Sequence, residues 1–244
     1  MNPRVLAQAK KAELGKRLYK RLDKYQEQTE KKIKSLFHPL TLAGFDQLNI
    51  IQAKKKTQKM YDEIEAYNEL EYRKLAEAAW DWAEMILLMD PDWFLSGTGS
   101  AEWKEPDKGP DKKEISEIVV DLLTGYSKVT KYSYYNELER KQLRLVEAIL
   151  TAREYSDRED LSESVKKAAN NVYTQCCEYG LEATQRAVIA AYRAAGVDRL
   201  QWVTMRDDRV CEDCHPLDGK VFDADVCPVP PMHYRCRCYL LPVR

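Results

Sequence analysis

The residues best suited to chemistry are gathered near the C-terminal end of the chain. Five of seven cysteines and two of three histidines lie beyond residue 210, in "CEDCHPLDG" (211–219), at Cys227 and in "MHYRCRC" (232–238). The spacing is Cys211-x2-Cys214, then eighteen residues, then His233-x2-Cys236-x-Cys238. A C-x2-C turn brings two thiolates to one ion, and H-x2-C offers a second such knuckle. Together they supply the four soft donors of a closed tetrahedral zinc site, which is structural rather than catalytic. Paired cysteines in a reducing compartment read first as metal ligands and second as disulfides.

Not every donor has a place. Cys211 and Cys214 form the firmest pair, and Cys236 joins them. His233 and Cys238 compete for the fourth position. The x2 spacing favours His233, while a strand through "CRCYLL" would turn Cys236 and Cys238 to the same side. His215 directly follows a ligand and is expected off the ion. Cys227 sits among prolines as a spare thiol, and Cys176 falls on the apolar side of a helix as ordinary core.

The same residues argue against hydrolytic chemistry. A zinc deaminase needs H-x-E ahead of P-C-x-x-C, and no H-x-E occurs. An HNH-like nuclease needs a general-base histidine and further metal ligands, with only His38 and His215 to spare. Asp218-Gly219 is a turn signal rather than a second metal site. A zinc-containing nucleic-acid-binding protein remains the other alternative, although the acidic residues of this stretch disfavour it. No catalytic residues are expected.

A unit under 50 residues seldom closes an adequate core alone, so residues 197–244 call for a staple. The rest, 1–196, reads as a body of long helices. Leu14, Leu18, Leu22 and Tyr25 recur at helical spacing within 4–36, followed by a break at 37–48 around Pro39 and Gly44. A second helix is expected over 51–89, and the Gly- and Pro-rich segment 90–113 as a loop. Helices then resume near Glu114, over 134–154, and from a cap at Asp160 or Ser162 to Ala195. Gly196 is the natural stop. Small residues along the last helix allow close approach by another. After Val197 the β-favouring stretch begins. The expected fold class is therefore mainly α, with long helices followed by a small α+β, zinc-stapled C-terminal module containing a short β-hairpin.

The net charge of -1 conceals an asymmetry: residues 1–60 carry +10 and the remainder -11. A basic arm on an acidic body steers toward nucleic acid or an acidic protein surface, although Lys and Arg are also ordinary residues of a solvated helix face. No stretch nears the roughly 20 apolar residues of a membrane span, and the N-terminal residues lack the apolar region of a secretory signal. A reducing cytoplasm is the expected setting.

"GVDRLQWVTMRDDRVCEDCHPLDGKVF" followed by "PPMHYRCRCYLLPV" resembles the C-terminal signature of the phage head morphogenesis family, typified by the F protein of phage Mu. The resemblance rests on Trp202, Asp207, Arg209, Cys211, Cys214, Leu217, Asp218, Gly219, Pro231, His233, Cys236, Arg237, Cys238 and Pro242. It implies a minor capsid protein of a tailed phage or prophage. Such a protein associates with the portal protein and meets scaffold or capsid protein. It is packaged in the procapsid and resides in the virion near the portal, with non-specific DNA binding in some members.

Overall fold

The computed structural model describes residues 3–41, 50–89, 112–127, 129–154, 158–205 and 210–243. Five helices, α1 (Pro3–Thr41), α2 (Ile50–Leu87), α3 (Lys112–Thr124), α4 (Tyr134–Glu154) and α5 (Arg158–Ala194), precede three strands, β1 (Arg199–Val203), β2 (Val221–Asp223) and β3 (Tyr239–Val243). The sheet is antiparallel with order β2-β1-β3. The mainly helical class with a small C-terminal sheet is thus the observed one.

α5 is the axis of the molecule, packed against α1, α2, α3, α4 and β3. Of the apolar stripe that helical spacing predicts along this helix, Val165, Val172, Cys176, Tyr179, Ala183 and Ala187 are buried, Ala169 and Ala190 half-buried and Ala194 exposed, and from Gln175 to Gln185 both sides of the helix are largely buried. Most of the buried polar groups there find a partner among the described residues, the side-chain oxygens of Gln175 and Gln185 excepted. Gln175 donates to the Tyr134 carbonyl, Thr184 to the Gly180 carbonyl, and Glu182 accepts from Ser127 and Arg186. Gly180 provides the close approach expected of the small residues. A Cβ there would stand 2.6 Å from Tyr25 Cε1 and 3.2 Å from Leu75 Cδ1. Cys176 is core, as expected. Asn68 Nδ2 reaches its sulfur at 3.1 Å, the Tyr25 and Tyr72 hydroxyls reach its carbonyl, and burial pushes its thiol up to about 12. Such a thiol is inert.

Several boundaries differ from the sequence reading, and α2 ends at Leu87 rather than at 89. α1 does not break at Phe37 but continues through Pro39 to Thr41, because Phe37 and Leu40 are both drawn into the core. α5 begins at Arg158, ahead of the expected cap. Of the segment read as a loop, 90–111 lies outside the described residues, and Lys112 already starts α3. Gly196 does end the α5 region. It has φ +74°, its N–H bonds the Arg193 carbonyl, and that of Val197 bonds the Tyr192 carbonyl. This is the paired-bond cap that a left-handed residue permits.

The strands share one continuous apolar core with the helices. Tyr239 lies against Gly15 of α1 and packs edge-on to Trp82 of α2, while Trp82 Nε1 donates to the Leu14 carbonyl. Trp202, from the family-like signature, is fully buried on β1. β1 and β2 pair as the expected antiparallel hairpin, but their connection is long and carries the Cys211–Cys214 knuckle. Gly219, at φ +82°, turns the chain immediately before β2.

Candidate metal centre

The first knuckle is held by its own backbone. The Cys214 N–H points at Cys211 Sγ (3.3 Å), the His215 N–H bonds the Cys211 carbonyl, and a single 3-10 turn spans His215–Leu217. Asp218 then accepts the Thr204 N–H, and the Gly219 N–H bonds the Trp202 carbonyl, fixing the knuckle to the end of β1. The second knuckle turns tightly. The Cys236 N–H bonds the His233 carbonyl, and Arg235 occupies the left-handed region at φ +59°.

Folding brings the two knuckles together. His233 Nε2 lies 2.9 Å from Cys211 Sγ and 3.2 Å from Cys214 Sγ, and Cys214 Sγ is 3.9 Å from Cys236 Sγ. The donors form two overlapping triads, Cys211–Cys214–His233 and Cys214–Cys236–Cys238, each with its donor atoms within 4.8 Å of one another. Cys214 is common to both. Bond lengths of about 2.3 Å to sulfur and 2.0–2.1 Å to nitrogen put tetrahedral edges near ~3.8 Å for S···S and ~3.6 Å for S···N. The sulfur edge therefore matches, and the imidazole has to draw back by roughly half an ångström to take its place on such an ion. His233 Nδ1 lies 2.8 Å from the Tyr234 carbonyl. With Nδ1 donating there, the Nε2 lone pair is left facing the thiols, the arrangement that orients metal-binding histidines.

Electrostatics point the same way. A hydrogen bond from Cys238 draws the Cys236 thiol down to about 6 against the effect of burial. Burial pushes Cys214 up to about 12, with the charge of Cys236 adding, and Cys238 is raised because its proton is held in the bond to Cys236. Clustered thiols oppose one another's ionisation, whereas a divalent cation among them favours every thiolate at once. These groups can hold a metal ion. A cavity of about 640 Å³ between α1, α5 and residues 231–237 has Cys211, His233 and Cys236 in its wall, giving an ion a way in.

All four residues singled out as ligands, Cys211, Cys214, His233 and Cys236, are in the cluster, and so is the alternative, Cys238. His215 is exposed and belongs to neither triad, and the Cys227 thiol turns to the Pro228 carbonyl instead. Asp207 and Arg209 lie outside the described residues. What motif spacing missed is the support from the helices. Tyr19 of α1 and Gln185 of α5 both donate to the Cys238 carbonyl, at 2.9 and 3.3 Å. A tyrosine and a glutamine on helix faces carry no sequence signal for that role.

Residues 140–241 match the model of a family described as phage Mu protein F like protein. The matched stretch contains most of α4, all of α5, β1, β2, the first three residues of β3 and both knuckles, so the signature resemblance of the C-terminal region is to that family. Over 191 residues the chain is also 25% identical to "Uncharacterized protein MJ0329" of Methanocaldococcus jannaschii, the match covering 74% of this chain and 29% of that protein. The chain thus spans under a third of that relative's length. No solved structure matches. Among the described residues no helix is long and apolar enough to cross a membrane.

Proposed function

We propose that this protein is a minor capsid, or head morphogenesis, protein of a tailed phage or prophage. In this reading it associates with the portal protein, meets scaffold or capsid protein, and is packaged in the procapsid, so that it resides in the virion near the portal. The observation that carries the reading is the match of residues 140–241 to the Mu F-like family, with both knuckles inside the matched stretch. One structural zinc ion is bound by Cys211, Cys214, Cys236 and His233, with Cys238 as the alternative fourth ligand. The support is a thiol-rich donor set with a sulfur edge of tetrahedral length. When bound, zinc supplies a neutralising charge and a crosslink between the knuckles. Asp218 and the β1 backbone position the first knuckle, while Tyr19 and Gln185 hold the second against the helices.

The protein is proposed to have no hydrolytic activity. His233 Nε2 faces two thiols rather than open solvent, and His215 sits exposed outside both triads. His38 stands nineteen residues beyond Tyr19 on α1, about 28 Å away by helical rise. Weak, salt-sensitive, non-specific DNA affinity accompanies the assembly role, from the positive charge of residues 1–60. Co-expression with a portal protein from the same phage or prophage genome tests the reading. Co-purification of the two, with reduced infectivity of particles assembled without this protein, is the expected result. Failure to co-purify, together with full infectivity of a clean deletion, rejects it. Metal-dependent DNA cleavage lost on His215→Ala would favour the nuclease alternative.

A further inference from the structure

Between Lys16 and Lys24 the cations of α1 occupy one side of the helix. Leu14, Leu18, Tyr19, Leu22 and Tyr25 are buried, whereas Lys16, Arg17, Lys20, Arg21 and Lys24 are exposed. Along that exposed side Lys16, Lys20 and Lys24 follow one another at four-residue intervals, as do Arg17 and Arg21. Like charges at this spacing destabilise a helix. Acidic residues one turn away are at hand in Asp23 and Glu27, yet among the described residues Lys16, Lys20, Arg21 and Lys24 form no ion pair, and Arg17 has only a 3.7 Å contact with Glu13. Some other exposed lysines are paired within their helices, among them Lys34 with Glu30, Lys113 with Glu117 and Lys167 with Glu163, while Lys31, Lys54, Lys55, Lys59 and Lys166 form no ion pair among the described residues.

Two grooves flank this side of α1. One, of about 350 Å³, is lined by Lys16, Lys20 and Lys24 with Asp23, Glu27 and Arg237. The other, of about 650 Å³, lies between Arg17, Lys20, Arg21 and Lys24 of α1 and Glu71 and Lys74 of α2, the last two paired with one another at 2.7 Å. Arg237 is the middle residue of the Cys-Arg-Cys knuckle, and its guanidinium lies 5.5 Å from the centroid of the Tyr19 ring. The metal-site loop therefore delivers a cation onto α1 at the place where the helix presents its own.

We propose that this surface, α1 from Lys16 to Lys24 with Arg237 beside it, is a docking site for the phosphodiester backbone of double-stranded DNA. The proposal rests on the DNA affinity read above and goes beyond it by assigning the surface and by giving the knuckle a second task. Lys16 to Lys24 spans about 12 Å of helix, so the cations form an extended row suited to a polyanion rather than a pocket for one phosphate. The tyrosines beneath, Tyr19 and Tyr25, are buried and offer no stacking platform, which points to contact with the backbone and not the bases.

The test is fluorescence anisotropy of a labelled DNA duplex titrated with the full chain between about 50 and 200 mM salt. Each phosphate contact contributes about 0.9 to the slope of log affinity against log salt. Combining Lys20→Gln with Lys24→Gln is expected to reduce the slope by about 1.8, and Arg237→Gln by about 0.9, with wild-type metal content and helical circular dichroism retained. Because Arg237 stands between two cysteines of the cluster, the lysine variant is the deciding one. Wild-type protein that binds DNA with a slope the lysine variant leaves unchanged overturns the surface assignment. Wild-type protein that does not bind DNA rejects the underlying DNA reading and this proposal with it. Binding to phosphatidylserine vesicles in preference to DNA overturns the proposal in favour of an anionic membrane.

Discussion

Cys214 is the donor that both triads share, so replacing it tests the metal reading whichever residue takes the fourth place. Its side chain is 1% exposed, and its sulfur faces His233 at 3.2 Å and Cys236 at 3.9 Å. Cys214→Ser removes one thiolate and leaves two others and the imidazole without a tetrahedral partner. A site held at a thousandfold excess of free zinc over its dissociation constant contributes about 4.1 kcal/mol to folding. For a chain of this size, 1 kcal/mol moves the melting temperature by roughly 2–4 °C, so the loss corresponds to a fall of roughly 8–16 °C. Elemental analysis of purified protein and thermal unfolding with and without a chelator provide the two readouts. Wild-type protein should carry one zinc per chain and lose its thermal margin in chelator, whereas Cys214→Ser should carry none and be indifferent to chelator. Cys227→Ser, outside both triads, should resemble wild type in both. The reasoning fails if Cys214→Ser retains one ion and the wild-type melting temperature.

The fourth ligand can be settled with cobalt substitution. His233→Ala should lose the imidazole ligand and show a spectrum shifted toward four sulfurs if Cys238 takes over, while Cys238→Ser should leave a three-sulfur, one-nitrogen spectrum unchanged. Gly180→Ala should destabilise the fold by about 1–3 kcal/mol in chemical denaturation, because the new methyl meets the Tyr25 ring at 2.6 Å. An unchanged midpoint would show that the α1–α5 contact yields easily. Glu178 offers a pH test. Burial first, then the neighbouring charges of Glu137 and Glu182, raise its carboxyl to about 7, with Lys141 opposing. The folded state thus binds the proton more tightly than the unfolded state. The associated stability is present below the unfolded value near 4.5 and is lost as pH rises through 7. Glu178→Gln should therefore flatten the decline between about pH 4.5 and 7 measured by denaturant midpoints, and parallel pH profiles would refute the assignment.

Much of this protein was determined by residues acting locally. Apolar side chains at helical spacing set α1, α2, α4 and α5, and Gly196 ended the last of them because its φ of +74° is open to glycine. The C-x2-C and H-x2-C spacings set the two knuckles, since each is a tight turn closed by its own backbone bonds. Where local signals conflicted, tertiary packing prevailed. Pro39 marked a break, but Phe37 and Leu40 hold the last turn of α1 in the core. Only the tertiary structure decided that five donors converge rather than four, because the separation of Cys238 from Cys214 depends on how β3 meets the rest of the sheet. The same holds for α5, whose polar residues are buried because four other helices and a strand surround them. Tyr19 and Gln185 reach the Cys238 carbonyl, and Arg237 reaches the cationic side of α1, across separations of 219, 53 and roughly two hundred residues. Spacing along the chain governs geometry within a turn or two. Contacts across such distances exist only once the burial of the core has fixed how the elements pack.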